Sequence, residues 1–432
     1  MKKVAVIGGG WAGMAAAVTA ARAGHRVTVF EAARTLGGRA RALPLTLPDG
    51  REIVVDNGQH ILIGAYAESL RLMRLVGVDP DQALLRLPLD LRFPDDTGLA
   101  LPLGHPPWDA LAGILRARGW SWGDRLSLLR AASGWRLGGF RCGPQISVAE
   151  LCAPLSARLM HTFVEPLCVS ALNTPASAAS GAVFLRVLRD ALFGGPGGSH
   201  LLLPRTDLGA LFPQAAADWL LAHGHAVHLG WRVRALTPDA PAESTTWHVD
   251  GGEAFERIIL AVSASDAAKA SVEWSRHAAE PIASNLAKWA ATAQALRFEA
   301  ITTVYAVADA GLPRPMLALP SGPAWPAQFV FDRGRLGGPQ GLHAFVVSAS
   351  TGEREALQAQ VVAQAHEQLG LRIRPLRSIT EKRATFACTP GLRRPAMRIA
   401  PGLLACGDFI EGPYPATLEG AVRSGVAAGE LP

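Results

Sequence analysis

The chain has 432 residues, 49% of them hydrophobic and 18% charged, with a mean hydropathy of +0.19, too long for one small domain and too apolar for disorder. Its net charge of +6 comes from scattered arginines, with no run of like charges and no zinc-finger or RNP-type signature. That pattern argues against nucleic acid and makes an anionic membrane surface the better reading of the charge.

In chain order, Val4–Ile7 reads as a short buried strand, followed at once by Gly8-Gly9-Gly10-Trp11-Ala12-Gly13 and an alanine-rich helix that runs to about Ala23 and ends at Gly24. Val27–Phe30 is the second parallel strand, with Glu31 at its carboxyl end. Leu43–Leu47 and Glu52–Val55 flank the turn Pro48-Asp49-Gly50 and predict a β-hairpin. From about 65 to 200 the pattern is mostly helical, broken at Gly104-His105-Pro106-Pro107 and at Gly194–Gly198, where a mobile loop is expected over 194–199. A helix ending near Gly224, strands at Ala226–Leu229, Thr246–Val249 and Arg257–Val262, and a later pair at Ile301–Val307 and Leu342–Val347 follow. Leu403–Cys406 is the last buried strand, leading through Gly407-Asp408 into a helix from about Ala416.

This order predicts an α/β fold: a Rossmann-type dinucleotide domain built from 1–85, 205–270 and 385–432, interleaved with an α+β substrate domain built from 86–204 and 271–384. The lysines and apolar run at the start superficially offer a signal peptide, but glycines at fixed offsets argue otherwise, and no apolar run reaches the roughly 18 residues a transmembrane helix needs. Five widely spaced cysteines (Cys142, Cys152, Cys168, Cys388 and Cys406) without a CxxC pair suggest core packing in a reducing compartment, hence a cytoplasmic protein, with the inner face of the membrane as a peripheral location.

The chemistry starts at Gly8-x-Gly10-x-x-Gly13. Gly8 permits the tight turn off the strand, Gly10 lets the backbone approach a pyrophosphate, and Gly13 lets the helix pack on the strand. Phosphates then meet amides that have no partner inside the helix, at the positive end of its dipole. Glu31, 18 residues beyond Gly13, is placed to accept from ribose hydroxyls. The second strand extends into Leu36-Gly37-Gly38-Arg39, where an arginine can reach phosphate or a flavin ring.

With E-(x)5-GGR just past the dinucleotide fold and Gly407-Asp408 near the other end, the sequence resembles the flavin amine oxidase and phytoene-desaturase superfamily. That resemblance implies FAD, an amine-oxidase-like fold, and cofactor contacts at Gly8, Gly10, Trp11, Ala12, Gly13, Glu31, Ala32, Gly37, Gly38, Arg39, Val233, Gly407, Asp408, Ala416 and Thr417. It also implies that the last helix aims its N-terminus at the flavin, where it would stabilise the negative charge of the reduced ring. Three segments, Asp56–Tyr66 (DNGQHILIGAY), Glu165–Pro175 (EPLCVSALNTP) and Gly412–Gly425 (GPYPATLEGAVRSG), are similar to the squalene-associated branch, the hydroxysqualene dehydroxylases of hopanoid synthesis.

The branch implies reductive removal of an allylic hydroxyl from hydroxysqualene, giving squalene, with a lipophilic isoprenoid chain held in an apolar tunnel. Hydroxide leaves poorly, so an acid must assist; His60 is the first candidate, with Asp56 either beside it or holding the loop. Three alternatives stand: a carotenoid or isoprenoid desaturase, a non-catalytic flavoprotein scaffold, and an amine oxidase. Against the last, the strand Glu299–Tyr305 has no lysine, and three tyrosines are few for an aromatic cage. His223, His225 and His228 diverge around a turn, so no metal is expected. The stretch 108–141 interleaves Trp108, Trp120, Trp122, Trp135 and Phe140 with six arginines, which suits either a bilayer interface or an ordinary helical pair.

Overall fold

The computed structural model describes residues 1–239 and 246–431; residues 240–245 and Pro432, inside two of the expected domain segments, lie outside the described residues. Val4–Ile7 is buried on both faces, as a strand in the middle of a parallel sheet must be. The sheet runs Ala226–Leu229, Arg26–Glu31, Lys3–Ile7, Arg257–Leu260, Leu403–Ala405 and Arg398–Ala400. Its first five strands are parallel and the sixth is antiparallel. Segments from both ends of the chain and from its middle therefore meet in one layer, whose carboxyl edge carries the glycine loop, Glu31 and Gly407.

The helix Trp11–Arg22 is buried almost all round because a second helix covers its outer side. That cover is the last helix, Leu418–Glu430, and its glycines make the approach possible. A Cβ at Gly425 would stand 2.2 Å from Ala12 O, and one at Gly429 would stand 2.7 Å from Ala16 O. Glu419, fully buried, accepts from Ser69 N (2.9 Å) and Arg423 Nε (2.7 Å), tying the last helix to the helix Ala67–Leu75.

The second sheet is antiparallel: Met316–Ala318, Phe329–Asp332, Leu342–Ser348, Phe298–Ala308 and Ile373–Phe386. The 14-residue strand Ile373–Phe386 was not expected from the sequence. It is an edge strand studded with Arg374, Arg377, Lys382 and Arg383, and two register shifts in its pairing break the alternation that would have betrayed it. The helices Trp108–Arg116, Trp122–Leu137 and Gly181–Phe193 line one cavity together with Met316 and Phe329 of this sheet.

Segment 194–199, expected as a mobile loop, is stitched down instead. Gly64 N donates to His200 O (2.9 Å) and Ala65 N to Gly198 O (3.0 Å), and a Cβ on Gly64 would stand 1.8 Å from Gly197 O. Among the described residues no helix is long and apolar enough to cross a membrane.

Candidate active site

A cleft of about 760 Å³ runs along the carboxyl edge of the parallel sheet, lined by Gly8, Gly10, Trp11, Ala12, Glu31, Ala32, Gly37, Gly38, Arg39, Gly407, Asp408, Ala416 and Thr417. The three motif glycines, of which Gly8 and Gly10 line the cleft and Gly13, expected as a cofactor contact, does not, are glycine for two different reasons. Gly8 has φ +116°, and a Cβ there would lie 2.5 Å from Ala261 O; one at Gly13 would lie 1.9 Å from Gly8 O. The protein itself demands those two. A Cβ on Gly10 would meet nothing nearer than 3.8 Å, so the bare backbone there leaves room in the cleft, where Gly10 also opens a helix with no side-chain cap on its first amides. Unpartnered amides around a side-chain-free position suit a pyrophosphate.

Glu31 already accepts from Gly9 N and Ala33 N, both at 2.6 Å. Ionised, it has lone pairs left for ribose hydroxyls while it also fixes the glycine loop. Gly37 N donates to Gly9 O (3.0 Å), pinning the GGR loop onto the first. Arg39 then spans the cleft, donating to Ala384 O (2.8 Å) and pairing with Asp408, which is 6% exposed. Although burial opposes its charge, the nearby Asp408 raises the Arg39 pKa further, so this clamp between the two ends of the chain stays charged. Val233 does not line the cleft: it packs against the apolar core, and its neighbour Arg232 lines the cleft instead.

Within the Asp56–His60 segment the structure separates the two expected acids, bracing the loops with Asp56 and leaving His60 in the cleft wall. Asp56 is absent from the cleft wall; its buried carboxylate accepts from Leu208 N (2.8 Å) at the start of the helix Leu208–Leu211, and burial raises its pKa to about 7. Asn57 donates to Arg39 O (2.9 Å) and accepts from Arg41 N (3.2 Å). Arg333 Nη1 donates to Gln59 Oε1 (3.2 Å). His60 does line the cleft, but its Nδ1 lies 2.7 Å from Gly58 O. A carbonyl only accepts, so Nδ1 carries the ring proton. Burial, with Arg39 nearby, holds the His60 pKa below the usual histidine value, which disfavours the charged, proton-donating form.

Against this cleft lies a second, apolar cavity of about 190 Å³. Leu89, Leu91, Leu99 and Leu101 form one side of it, Ile114, Leu128, Trp135 and Phe140 another, and the helix Gly181–Phe193 a third. The two spaces share Ile61, Tyr66, Ser170, Ala171, Phe329 and Thr417 as lining. The junction therefore takes one residue or more from each of the three family-like segments. Beneath it the second sheet presents Ile301, Phe329, Phe331, Val346 and Ser348 to the cleft, with Glu381, Arg383, Ala384 and Thr385 from its edge strand, and no lysine; Lys382, on that edge strand, is exposed. Two of the three tyrosines, Tyr66 and Tyr414, meet edge to face beside the junction with ring centroids 6.5 Å apart. Sequence reading gave neither a role, although tyrosine scarcity was the signal available. His223 stacks on Trp219 (3.9 Å) and His228 on Phe30 (5.5 Å), while His225 Nδ1 accepts from Val27 N (3.4 Å), so the three histidines serve separate neighbours.

A dinucleotide cleft on a doubly wound sheet, opening onto an apolar cavity floored by an antiparallel sheet, defines the class: a flavoprotein oxidoreductase. The family model described as flavin containing amine oxidoreductase matches residues 11–430, and the chain belongs to that family, in its hydroxysqualene dehydroxylase branch. The hydroxysqualene dehydroxylase of Rhodopseudomonas palustris is 30% identical over 100% of this chain and 98% of its own length, and that of Zymomonas mobilis is 26% identical over 99% and 98%. An oxidoreductase structure from Methanosarcina mazei superposes with a TM-score of 0.71 at 18% identity, covering 99% of this chain and 100% of that one, a likeness of fold. The cofactor is FAD, and the residues fit it: the space kept at Gly10, the uncapped amides and the Arg39–Asp408 clamp are what a charged dinucleotide requires.

Proposed function

We propose that the protein is an FAD-dependent dehydroxylase that converts hydroxysqualene to squalene. The observation that carries this reading is the apolar cavity meeting the cofactor cleft at a junction lined by Ile61, Ala171 and Phe329 together with Tyr66, Ser170 and Thr417. Full-length similarity to two proteins of that name supports it. Bound in the cleft, reduced flavin supplies a hydride. The chain's own residues bind and orient: the glycine loop and first helix take the pyrophosphate, Glu31 the ribose, Arg39 and Asp408 the middle of the dinucleotide, and Ala416 and Thr417 bring the last helix to the ring. The cavity wall then holds an isoprenoid chain by apolar burial and keeps water from the reacting carbon.

An amine oxidase is disfavoured by two observations. The floor has no lysine, and Tyr414 already carries the guanidinium of Arg423 5.0 Å and that of Arg186 5.9 Å from its ring centroid, so the protein's own cations occupy the face an amine would need. Anaerobic mixing of photoreduced enzyme with hydroxysqualene is expected to reoxidise the flavin and yield squalene, while monoamines and polyamines leave oxidised flavin unreduced. Flavin reduction by an amine, with no squalene formed from the alcohol, would overturn this function.

The same reading places the protein on an anionic bilayer through residues 108–141. That stretch is two-sided: Ile114, Leu128, Trp135 and Phe140 line the cavity, whereas Trp108 (69% exposed), Trp122 (71%) and Leu137 (90%) face outward among the exposed Arg116, Arg130 and Arg136. A water-insoluble substrate could pass from lipid through this wall. Co-sedimentation with vesicles containing anionic lipid is expected, weakened by salt and by Trp108→Ser with Trp122→Ser. Equal sedimentation of wild type and double variant would place the contact elsewhere.

A further inference from the structure

With the proton-donating form of His60 disfavoured, the dehydroxylation needs another proton source, and the cavity offers one. Among the residues lining it, the titratable side chains are Tyr66, Arg186, Asp190 and Tyr414, gathered at one place in an otherwise hydrocarbon wall. Tyr414 faces Asp190, and Asp190 accepts from Arg186 Nε (2.8 Å) and Arg189 Nε (2.7 Å). The Arg423 and Arg186 guanidiniums sit over the Tyr414 ring, and Tyr66 meets its edge. Tyr414 itself has φ +58°, a left-handed conformation rare for an aromatic residue, two residues before Ala416 at the same angle. Backbone strain of this kind persists where surrounding structure enforces it and gathers at working sites.

We propose that Tyr414, backed by Asp190, holds the substrate's allylic hydroxyl in the apolar cavity and gives it the proton with which it leaves as water. The inference rests on the dehydroxylase reading. The carbon–oxygen bond breaks with its electron pair on oxygen, the hydride from reduced flavin fills the carbon, the phenolic proton completes water, and the half-buried phenol regains a proton from solvent. The phenolic proton can turn onto a substrate oxygen without stranding the Asp190 carboxylate, because Asp190 has its two arginine donors. Two guanidiniums beside the ring steady the phenolate that forms. Burial, with Asp190 adding to it, pushes the Tyr414 pKa up to about 12, still well below the ~15.7 of water, so transfer to a departing hydroxide is downhill.

Tyr414→Phe keeps the ring and removes only the proton. In oxidised holoenzyme, where no turnover occurs, wild type should bind hydroxysqualene about 2–10-fold more tightly than squalene, and Tyr414→Phe should lose that preference. In anaerobic single turnover, flavin reoxidation should slow by roughly 10²–10⁴-fold in Tyr414→Phe while FAD content is unchanged. The wild-type single-turnover rate should be flat from pH 6 to 9, since Tyr414, faced by Asp190, Arg186, Arg423 and Tyr66, stays protonated across that range. This third measurement needs no variant, so the proposal remains testable if Tyr414→Phe fails to fold. A Tyr414→Phe enzyme as fast as wild type, an unchanged preference for the alcohol, or a wild-type rate falling with a histidine-like limb overturns the proposal and leaves the dehydroxylase reading standing. A wild type that makes no squalene overturns both.

Discussion

Gly10→Val is expected to give a colourless protein that melts close to the wild-type apoprotein. The side chain would find no protein atom within 3.8 Å of its Cβ, so the fold has no reason to resist it. What it fills is the space reserved for the pyrophosphate. Losing two charge-assisted hydrogen bonds, at about 1.5–3 kcal/mol each, corresponds to roughly 10²–10⁴-fold weaker binding. Gly13→Val is the contrasting control, because its Cβ would lie 1.9 Å from Gly8 O and must move backbone. The measurement is flavin absorbance per protein after purification, paired with thermal melts of both apoproteins. Wild-type flavin content in Gly10→Val would show that the phosphates lie elsewhere.

Gly425→Val is expected to damage both the fold and the cofactor site. The Cβ alone would stand 2.2 Å from Ala12 O and 3.0 Å from Ala16 N, inside the contact between the first and last helices. Neither neighbour is a flexible side-chain tip, so the last helix must retreat. Overpacking of this kind costs about 1–3 kcal/mol or more, on the order of 1–4 °C in melting temperature for a chain of this length. Because the last helix begins at Leu418, next to Ala416 and Thr417 of the cleft, its displacement should also lower FAD retention. Gly425→Ala should shift both readouts the same way by less. An unchanged melting temperature in Gly425→Val would mean that the two helices do not pack as described.

The sequence by itself determined the parts whose chemistry is local. Val4–Glu31 could be read as strand, loop, helix and strand because glycine spacing, a buried apolar run and a terminal acid all lie within one short stretch, and each is required by backbone geometry whatever the rest of the chain does. Gly407-Asp408 and the last helix were legible for the same reason. The strand Ile373–Phe386 was not, because an edge strand needs no continuous apolar face and its partner supplies the register.

At the site the division is sharper. A histidine in a resembling motif looks like an acid until its Nδ1 is seen 2.7 Å from Gly58 O, and Asp56 looks catalytic until Leu208, 152 residues away, is found to hold its carboxylate. Val233 and Arg232 are neighbours in sequence, yet only the path of the chain decides which one lines the cleft. Tyr66, Asp190 and Tyr414 come from three distant segments, and nothing in the spacing of any one of them announces the others. Proton-donating ability depends on which groups surround a side chain and which way its hydrogen is already committed. Those neighbours are brought together by tertiary folding, so motif residues fixed where the cofactor lies, and the packing of remote segments decided which side chain beside it has a proton to give.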